Sequence, residues 1–97
     1  MKYKKIIYSN HLRNRLILRK IDDSIPKIIL ENPDEKYFDT ETNNFIVIKK
    51  SDYFGKKRDI MIVYDEQNDT IKIITIHPLK QAQKIRRVES GRWKKYE

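Results

Sequence analysis

The sequence predicts an α+β domain in which two N-terminal helices pack on a mostly antiparallel, four-stranded sheet, with a short C-terminal helix. Two segments near the N-terminus combine helix-capping residues with apolar positions at helical spacing. Four short apolar runs separated by turn-type residues come next. Helical spacing returns over residues 79–90. The length of 97 residues is typical of a single domain, residues 1–97.

The chain begins with a predicted edge strand and a first helix. Residues 5–8 form a short β-type run, and Ser9 or Asn10 is a suitable N-cap for a helix. Residues 11–20 contain no Gly or Pro, which favours a helix there. Its apolar face is expected to hold Leu12, Leu16, Ile17 and Ile21.

A second helix is predicted to begin near Ser24 or the two aspartates before it. Pro26 then falls in the first turn, where its missing N–H costs nothing. The helix ends at Asn32, because a residue that precedes a proline avoids the helical region. Its buried side is expected to hold Ile25, Ile28, Ile29 and Leu30.

The middle of the chain is predicted to form four strands, at residues 37–40, 45–48, 60–64 and 71–76. Turns are expected at 41–44 and 66–69, and a polar loop that contains Gly55 at 51–58. Residues 79–90 predict a short helix that Gly91 ends.

Charge is divided unevenly along the chain. Residues 1–20 carry a net charge of +7, residues 21–79 carry −4 and residues 80–97 carry +5. Both histidines lie in or next to the basic ends. A chain that concentrates positive charge at its two ends is expected to bring them together around a polyanion, and RNA is the predicted partner.

Composition excludes several classes of function. The chain has no cysteine, so disulfides, thiolate catalysis and zinc fingers are excluded. The basic ends hold no paired carboxylates at metal-site spacing, and only two glycines are available for a phosphate-binding loop. We therefore expect neither a metal nor a cofactor. The sequence has no apolar run of signal-peptide or membrane-helix length, so a cytoplasmic protein without membrane contact is expected.

The first helix carries a histidine and two arginines at four-residue spacing. At about 100° per residue, His11, Arg15 and Arg19 fall within roughly an 80° arc. All three can therefore point into one groove. The same pattern is also compatible with a solvated basic face.

The C-terminal side carries a second polar cluster. His77 follows a buried-type strand and precedes Pro78, where the sheet would hold it but leave it open to solvent; a hydrogen-bonded turn histidine is the alternative. In the string that begins at Ser90, Arg92 offers a planar fork for phosphate. Trp93 can either stack on a base or pack against the sheet.

These residues match the requirements of RNA cleavage. A base removes the 2′-hydroxyl proton, an acid protonates the leaving 5′-oxygen, and cations stabilise the charged phosphorane. The predicted catalytic residues are His11, His77, Arg15 and Arg92. The predicted substrate-binding residues are Arg19, Lys80, Lys84, Arg86, Arg87, Ser90 and Trp93.

The segment from Tyr8 to Ile21 reads as a strand end followed by S-x-H-x3-R-x3-R-x-I, and Ile-Pro and Asn-Pro pairs come after it. This layout resembles the opening of small BrnT-like and RelE-like toxins, which belong to the Barnase–EndoU–colicin–RelE group of metal-independent ribonucleases. The resemblance covers residues 5–33 in motif and residues 36–77 in strand order. It implies a ribonuclease toxin paired with a small antitoxin, which we expect to be acidic. The matching positions are His11, Arg15 and Arg19.

Two other interpretations remain open at this point. One is an RNA-binding domain without catalysis. The other is an interaction module whose basic faces bind an acidic partner protein. The first alternative predicts that the protein binds RNA without cleaving it. The second predicts that the basic surfaces bind a protein and not RNA.

Overall fold

The computed structural model describes residues 5–96. Within that range it is an α+β fold with three helices and six strands. The elements succeed one another as β1 (Lys5–Tyr8), α1 (Asn10–Leu18), α2 (Ile25–Glu31), β2 (Glu35–Asp39), β3 (Asn44–Tyr53), β4 (Lys56–Gln67), β5 (Thr70–Pro78), α3 (Gln81–Glu89) and β6 (Trp93–Lys95).

The six strands form one mixed sheet in the order β1-β5-β4-β3-β2-β6. The four predicted strands correspond to β2–β5, which pair as a continuous antiparallel meander. The prediction of a four-stranded sheet was wrong, because a short strand is added at each border. β1 pairs with β5 in parallel, and β6 pairs with β2 antiparallel. β1 is the edge strand that the sequence predicts at residues 5–8, whereas β6 was not predicted, because it depends on contacts with a distant part of the chain that local patterns do not encode.

The structure also corrects the predicted polar loop at 51–58, which is the end of a hairpin. β3 and β4 stay paired along this segment, from Ser51 opposite Arg58 to Tyr53 opposite Lys56. Only two residues form the turn that joins the strands. The polar composition suggested a loop, whereas the backbone ladder of a long hairpin tolerates polar side chains on both faces in solvent.

Helix positions agree closely with the capping residues. Ser9 caps α1, since its Oγ accepts a hydrogen bond from the Leu12 N–H at 3.0 Å. α2 carries Pro26 in its first turn. α3 is shorter than the predicted 79–90. It begins at Gln81, because Leu79 donates its N–H to the Asp59 carbonyl at 2.8 Å and so still belongs to the sheet.

Each face of the sheet has its own apolar core. The face that α1 and α2 cover contains Leu12, Leu16, Ile29, Leu30, Val47, Ile60, Ile62, Tyr64, Ile71, Ile73 and Ile76. The opposite face contains Tyr37, Ile46, Ile48, Met61, Leu79 and Trp93. Two residues expected on buried helix faces, Ile17 and Ile28, are instead 78% and 44% exposed.

α3 lies over the second face, where polar contacts hold it. The Lys84 ammonium donates to Glu35 at 2.8 Å, and the Arg87 guanidinium lies 5.8 Å from the Trp93 ring centroid. No residue of α3 is buried, so its attachment depends on these charged contacts more than on apolar packing. No helix among residues 5–96 is long and apolar enough to cross a membrane.

Candidate functional site

The first helix is positioned by the border of β5. β1 pairs with β5 only as far as Ile73, where the Ser9 N–H donates to the Ile73 carbonyl at 3.0 Å. Ser9 Oγ then donates to the Ile74 carbonyl at 2.8 Å. α1 begins at this point. It packs beside β5, where a longer β1 would otherwise continue the pairing. One helix thus flanks the end of β5 that carries His77.

His77 is half-buried at this end of the sheet. It lies opposite Met61 of β4, so its side chain is on the face that α3 covers. Its Nδ1 is 3.2 Å from the Pro78 carbonyl oxygen. A carbonyl oxygen only accepts, so Nδ1 carries the proton of this hydrogen bond and Nε2 carries the lone pair in the neutral ring.

The surroundings of His77 favour its neutral form. Burial lowers the pKa of His77 below its usual value of 6.5, and the hydrogen bond to the Pro78 carbonyl opposes this only in part. The positive charges of Arg19, Arg15 and Arg87 lower the same pKa further. These guanidiniums come from α1, its C-cap residue and α3, and their charges act on the same imidazole.

His11 joins this group through Arg15. Its side chain is exposed near the start of α1, and Arg15 Nε donates to His11 Nε2 at 3.4 Å. Arg15 therefore contacts one histidine and acts electrostatically on the other. The Arg15–His11 hydrogen bond and the charges that act on His77 link five of the predicted site residues, and we call them the histidine–arginine cluster: His11, Arg15, Arg19, His77 and Arg87.

Arg92 and Trp93 lie elsewhere and have partners of their own. Arg92 makes two hydrogen bonds of 3.0 Å to the carboxylate of Asp39, and Trp93 Nε1 donates to the same carboxylate at 3.3 Å. Trp93 is buried in the core of the second face. Arg92 was predicted to be catalytic, and in the structure a buried carboxylate across the β2–β6 border holds its guanidinium.

Two more predicted substrate-binding residues also have partners within the fold. Lys84 is bound to Glu35 by the 2.8 Å ion pair that attaches α3. Ser90 donates from Oγ to the Arg87 carbonyl at 3.2 Å and accepts from the Arg92 N–H at 3.3 Å, so it shapes the turn after α3. Lys80 and Arg86 are exposed on the α3 side and remain accessible to a ligand.

The sequence interpretation missed a cleft beside the cluster. It lies between the α1–α2 connection and the β3–β4 hairpin, has a volume of about 360 Å³, and is lined by Arg19, Ile21, Ile25, Tyr53, Phe54 and Ile60 among others. The Phe54-Gly55 dipeptide was the available signal, since two residues between strand-type runs indicate a tight hairpin. It was not used because Phe is rare in such turns.

The part of the chain between residues 5 and 96 contains no group of three or more His, Asp or Glu side chains placed to hold a metal ion. Comparison of the chain with models of protein families, with curated proteins and with solved structures finds no match. The likeness of residues 5–33 to the toxin motif therefore stays a prediction that rests on those residues.

Proposed function

We propose that this protein is a metal-independent endoribonuclease that cleaves cytoplasmic RNA within the histidine–arginine cluster. The observation that carries the proposal is the position of His77, a half-buried imidazole whose Nδ1 is 3.2 Å from the Pro78 carbonyl oxygen and whose pKa is lowered by burial and by the charges of Arg19, Arg15 and Arg87. A general base must be unprotonated at neutral pH, and cations beside it bind and stabilise a phosphate. A solvated basic face would not need a histidine held in this form.

In the proposed reaction, His77 Nε2 takes the proton of a ribose 2′-hydroxyl. The 2′-oxygen attacks the adjacent phosphorus, and the bond from phosphorus to the 5′-oxygen breaks. The 5′-oxygen takes a proton from His11, whose Nε2 is free to carry that proton once the Arg15 guanidinium turns from it to the phosphate. The products are a 2′,3′-cyclic phosphate and a 5′-hydroxyl end. Each histidine has then changed its protonation state once, and exchange with water restores both.

The arginines have a separate role in this scheme. Arg15 and Arg19 remain charged at all relevant pH values and match the oxygens of a phosphate in a planar, bidentate geometry. Charge develops on those oxygens as the phosphorane forms, so guanidiniums already in place stabilise the transition state more than the bound substrate. Lys80 and Arg86 are exposed along α3 and would attract flanking phosphates of the same strand.

The test is cleavage of single-stranded RNA by purified protein in the presence of EDTA. We expect 2′,3′-cyclic or 3′-phosphate ends, and we expect His77→Gln to lower the cleavage rate by about 10²–10⁴-fold with little loss of RNA affinity. Ile28→Gln, on the exposed side of α2, serves as the control and should cleave normally. Cleavage that depends on added Mg²⁺, or an unchanged rate for His77→Gln, would contradict the proposal. Tight binding without cleavage would establish the RNA-binding alternative instead.

We further propose that the activity belongs to a toxin, countered by a small acidic antitoxin protein that covers the cluster. Opposite charge across such an interface would speed association and make it sensitive to salt. Expression of the chain alone under a tight promoter should arrest growth of a bacterial host, whereas His77→Gln at equal soluble level should not. Equal growth with both chains would argue against the toxin role.

A further inference from the structure

The tip of the β3–β4 hairpin has an unusual residue at a demanding position. The two turn residues are Phe54 and Gly55, with φ of 52° and 79°, so both are in the left-handed region. Turns of this kind favour Asn-Gly, because a side chain such as Phe crowds the backbone there. The Phe54 ring is 70% exposed. An apolar ring is thus displayed to solvent at a position where it does not favour folding.

The ring does not stand alone. Tyr53 meets Phe54 edge-to-face, with ring centroids 4.6 Å apart, and Arg58 lies 5.9 Å from the Tyr53 centroid. The two rings form one wall of the cleft of about 360 Å³. The opposite wall includes Ile21 and Ile25. The opening suits a flat, partly apolar group, and its volume lies in the range of about 300–1,000 Å³ typical of small-ligand sites.

Arg19 connects this cleft to the histidine–arginine cluster. It lines the cleft and also lowers the pKa of His77. Ile60, which also lines the cleft, lies opposite Pro78 where β4 pairs with β5. Pro78 is the residue that follows His77. The Nε of Arg19 is buried and has no hydrogen-bond partner among residues 5–96. That atom is closed to a ligand, so a phosphate oxygen would bind the terminal nitrogens of the Arg19 guanidinium instead.

From these contacts we infer that the cleft binds one nucleobase of single-stranded RNA next to the scissile phosphate, stacked on Phe54, while the terminal nitrogens of the Arg19 guanidinium donate to that phosphate. The inference rests on the proposed function for its substrate. Aromatic rings bind bases of every kind through their π faces, so the subsite would hold a base in place with little sequence preference.

Charge around the cleft fits this occupant. Arg19 and Lys20 lie on one wall, and Lys56, Lys57 and Arg58 come after the hairpin turn. The lining also holds two carboxylates. Asp52 pairs with Lys57 at 3.4 Å, and Asp22 accepts hydrogen bonds from the N–H and hydroxyl of Ser24 at 2.9 and 2.6 Å. The five cationic residues outnumber the two carboxylates, so the net charge at the cleft is positive, which favours binding of a phosphodiester chain.

The experiment uses a 2′-O-methyl oligonucleotide that contains 2-aminopurine, which the protein cannot cleave and whose fluorescence falls when the base stacks. We expect the unaltered protein to quench this fluorescence. Phe54→Asn removes the ring but inserts the residue that the turn prefers, so it should raise the Tm, abolish quenching and weaken binding about tenfold or more. Phe54→Trp retains a stacking ring and should retain quenching.

The matched control is Ile28→Gln, which removes an exposed apolar side chain from α2 and should leave quenching unchanged. Quenching by Phe54→Asn equal to that of the unaltered protein would overturn the inference even if RNA is cleaved. Quenching that depends on Phe54 in a protein that cleaves no RNA would support the base subsite and overturn the proposed catalysis. Absence of quenching by the unaltered protein, as expected if the cleft binds a protein segment, would also overturn the inference.

Discussion

Arg92 and Asp39 form a bidentate ion pair that joins the turn before β6 to the end of β2, with both hydrogen bonds at 3.0 Å. The Asp39 carboxylate belongs to a residue that is 3% exposed. It also accepts the backbone N–H groups of Glu41 and Thr42, at 2.9 and 3.3 Å. One carboxylate therefore organises the turn after β2 and the attachment of β6.

Loss of this pair should destabilise the fold without altering the proposed RNA cleavage by the folded protein. Arg92→Ala leaves a buried charge unpaired, so we expect the free energy of unfolding to fall by about 3 kcal/mol in urea titrations. Arg86→Ala, at an exposed arginine of α3, is the control and should change it by less than about 0.5 kcal/mol. Lost cleavage in a fully folded Arg92→Ala protein would instead restore Arg92 to the catalytic residues.

The same carboxylate should make stability depend on acid pH. Burial would raise the pKa of Asp39, but hydrogen bonds from Arg92 and from the backbone of Glu41 and Thr42, with the Arg92 charge, outweigh it and lower the pKa to about 2. The folded state therefore prefers the charged form. The resulting stability, about 2 kcal/mol, is complete above the unfolded pKa of about 3.9 and is lost as the pH falls through about 2.

Unfolding free energies measured from pH 5 to pH 2 test this dependence. The difference between the unaltered protein and Asp39→Asn should shrink toward low pH, because protonation removes in one protein the charge that the substitution has removed in the other. A difference that stays constant over this range would show that Asp39 is not the titrating group.

His77 should titrate below 6.5 in the folded protein, because burial and the neighbouring arginine charges lower its pKa. His11→Gln leaves His77 as the one imidazole of the chain, so its proton NMR signals can be followed directly. Arg19→Gln removes a nearby positive charge and should move the midpoint upward. An unchanged midpoint in Arg19→Gln would mean that Arg19 does not act on His77.

The sign of the His77 shift also fixes its effect on stability. The unfolded state takes up a proton at about 6.5, before the folded state does, so this group destabilises the fold as the pH falls below 6.5 and has no effect above it. If His77 is the base of the proposed RNA cleavage, the acid limb of kcat/KM should lie below 6.5 for the same reason, since that limb reports the essential base of the free protein. A limb above 6.5 would point to another base.

Substitutions of Lys84 and Arg86 should show that the first residue stabilises the fold and that the second attracts RNA. Lys84 is bound to Glu35 at 2.8 Å with 15% of its side chain exposed, so Lys84→Ala should lower the free energy of unfolding by about 2 kcal/mol. Arg86→Ala should leave stability unchanged but reduce the slope of log affinity for RNA against log salt concentration by about 0.7. The reverse pattern would place the RNA-binding surface elsewhere.

Much of the fold could be predicted from local sequence. The capping pattern at Ser9, the proline of α2 and the apolar runs of β2–β5 are all properties of neighbouring residues. β6 was missed because its three residues form a strand only through contacts with β2, including the bond from Trp93 to Asp39, 54 positions earlier. The hairpin at 51–58 was missed because its strands are held by backbone pairing with little apolar content.

The residues of the candidate site could likewise be predicted only in part from local sequence. Helical geometry was sufficient to align His11, Arg15 and Arg19, because the first two lie on α1 and Arg19 is its C-cap residue. The approach of Arg87 to His77 could not be predicted, since it depends on how α3 crosses the second face. Arg92 and Lys84 were assigned to RNA by their charge, and their carboxylate partners lie 53 and 49 positions away in the chain.

The sheet ends at both borders in very short strands, of four residues in β1 and three in β6. Open strand edges are where separate molecules join by backbone pairing, and short edges that carry lysines offer little for a second chain to extend. β6 presents Lys94 and Lys95 and shields the longer β2 behind it. When the Asp39–Arg92 pair is weakened, β6 should detach and uncover β2. The first visible result should be self-association between molecules, at temperatures where the rest of the sheet is still intact.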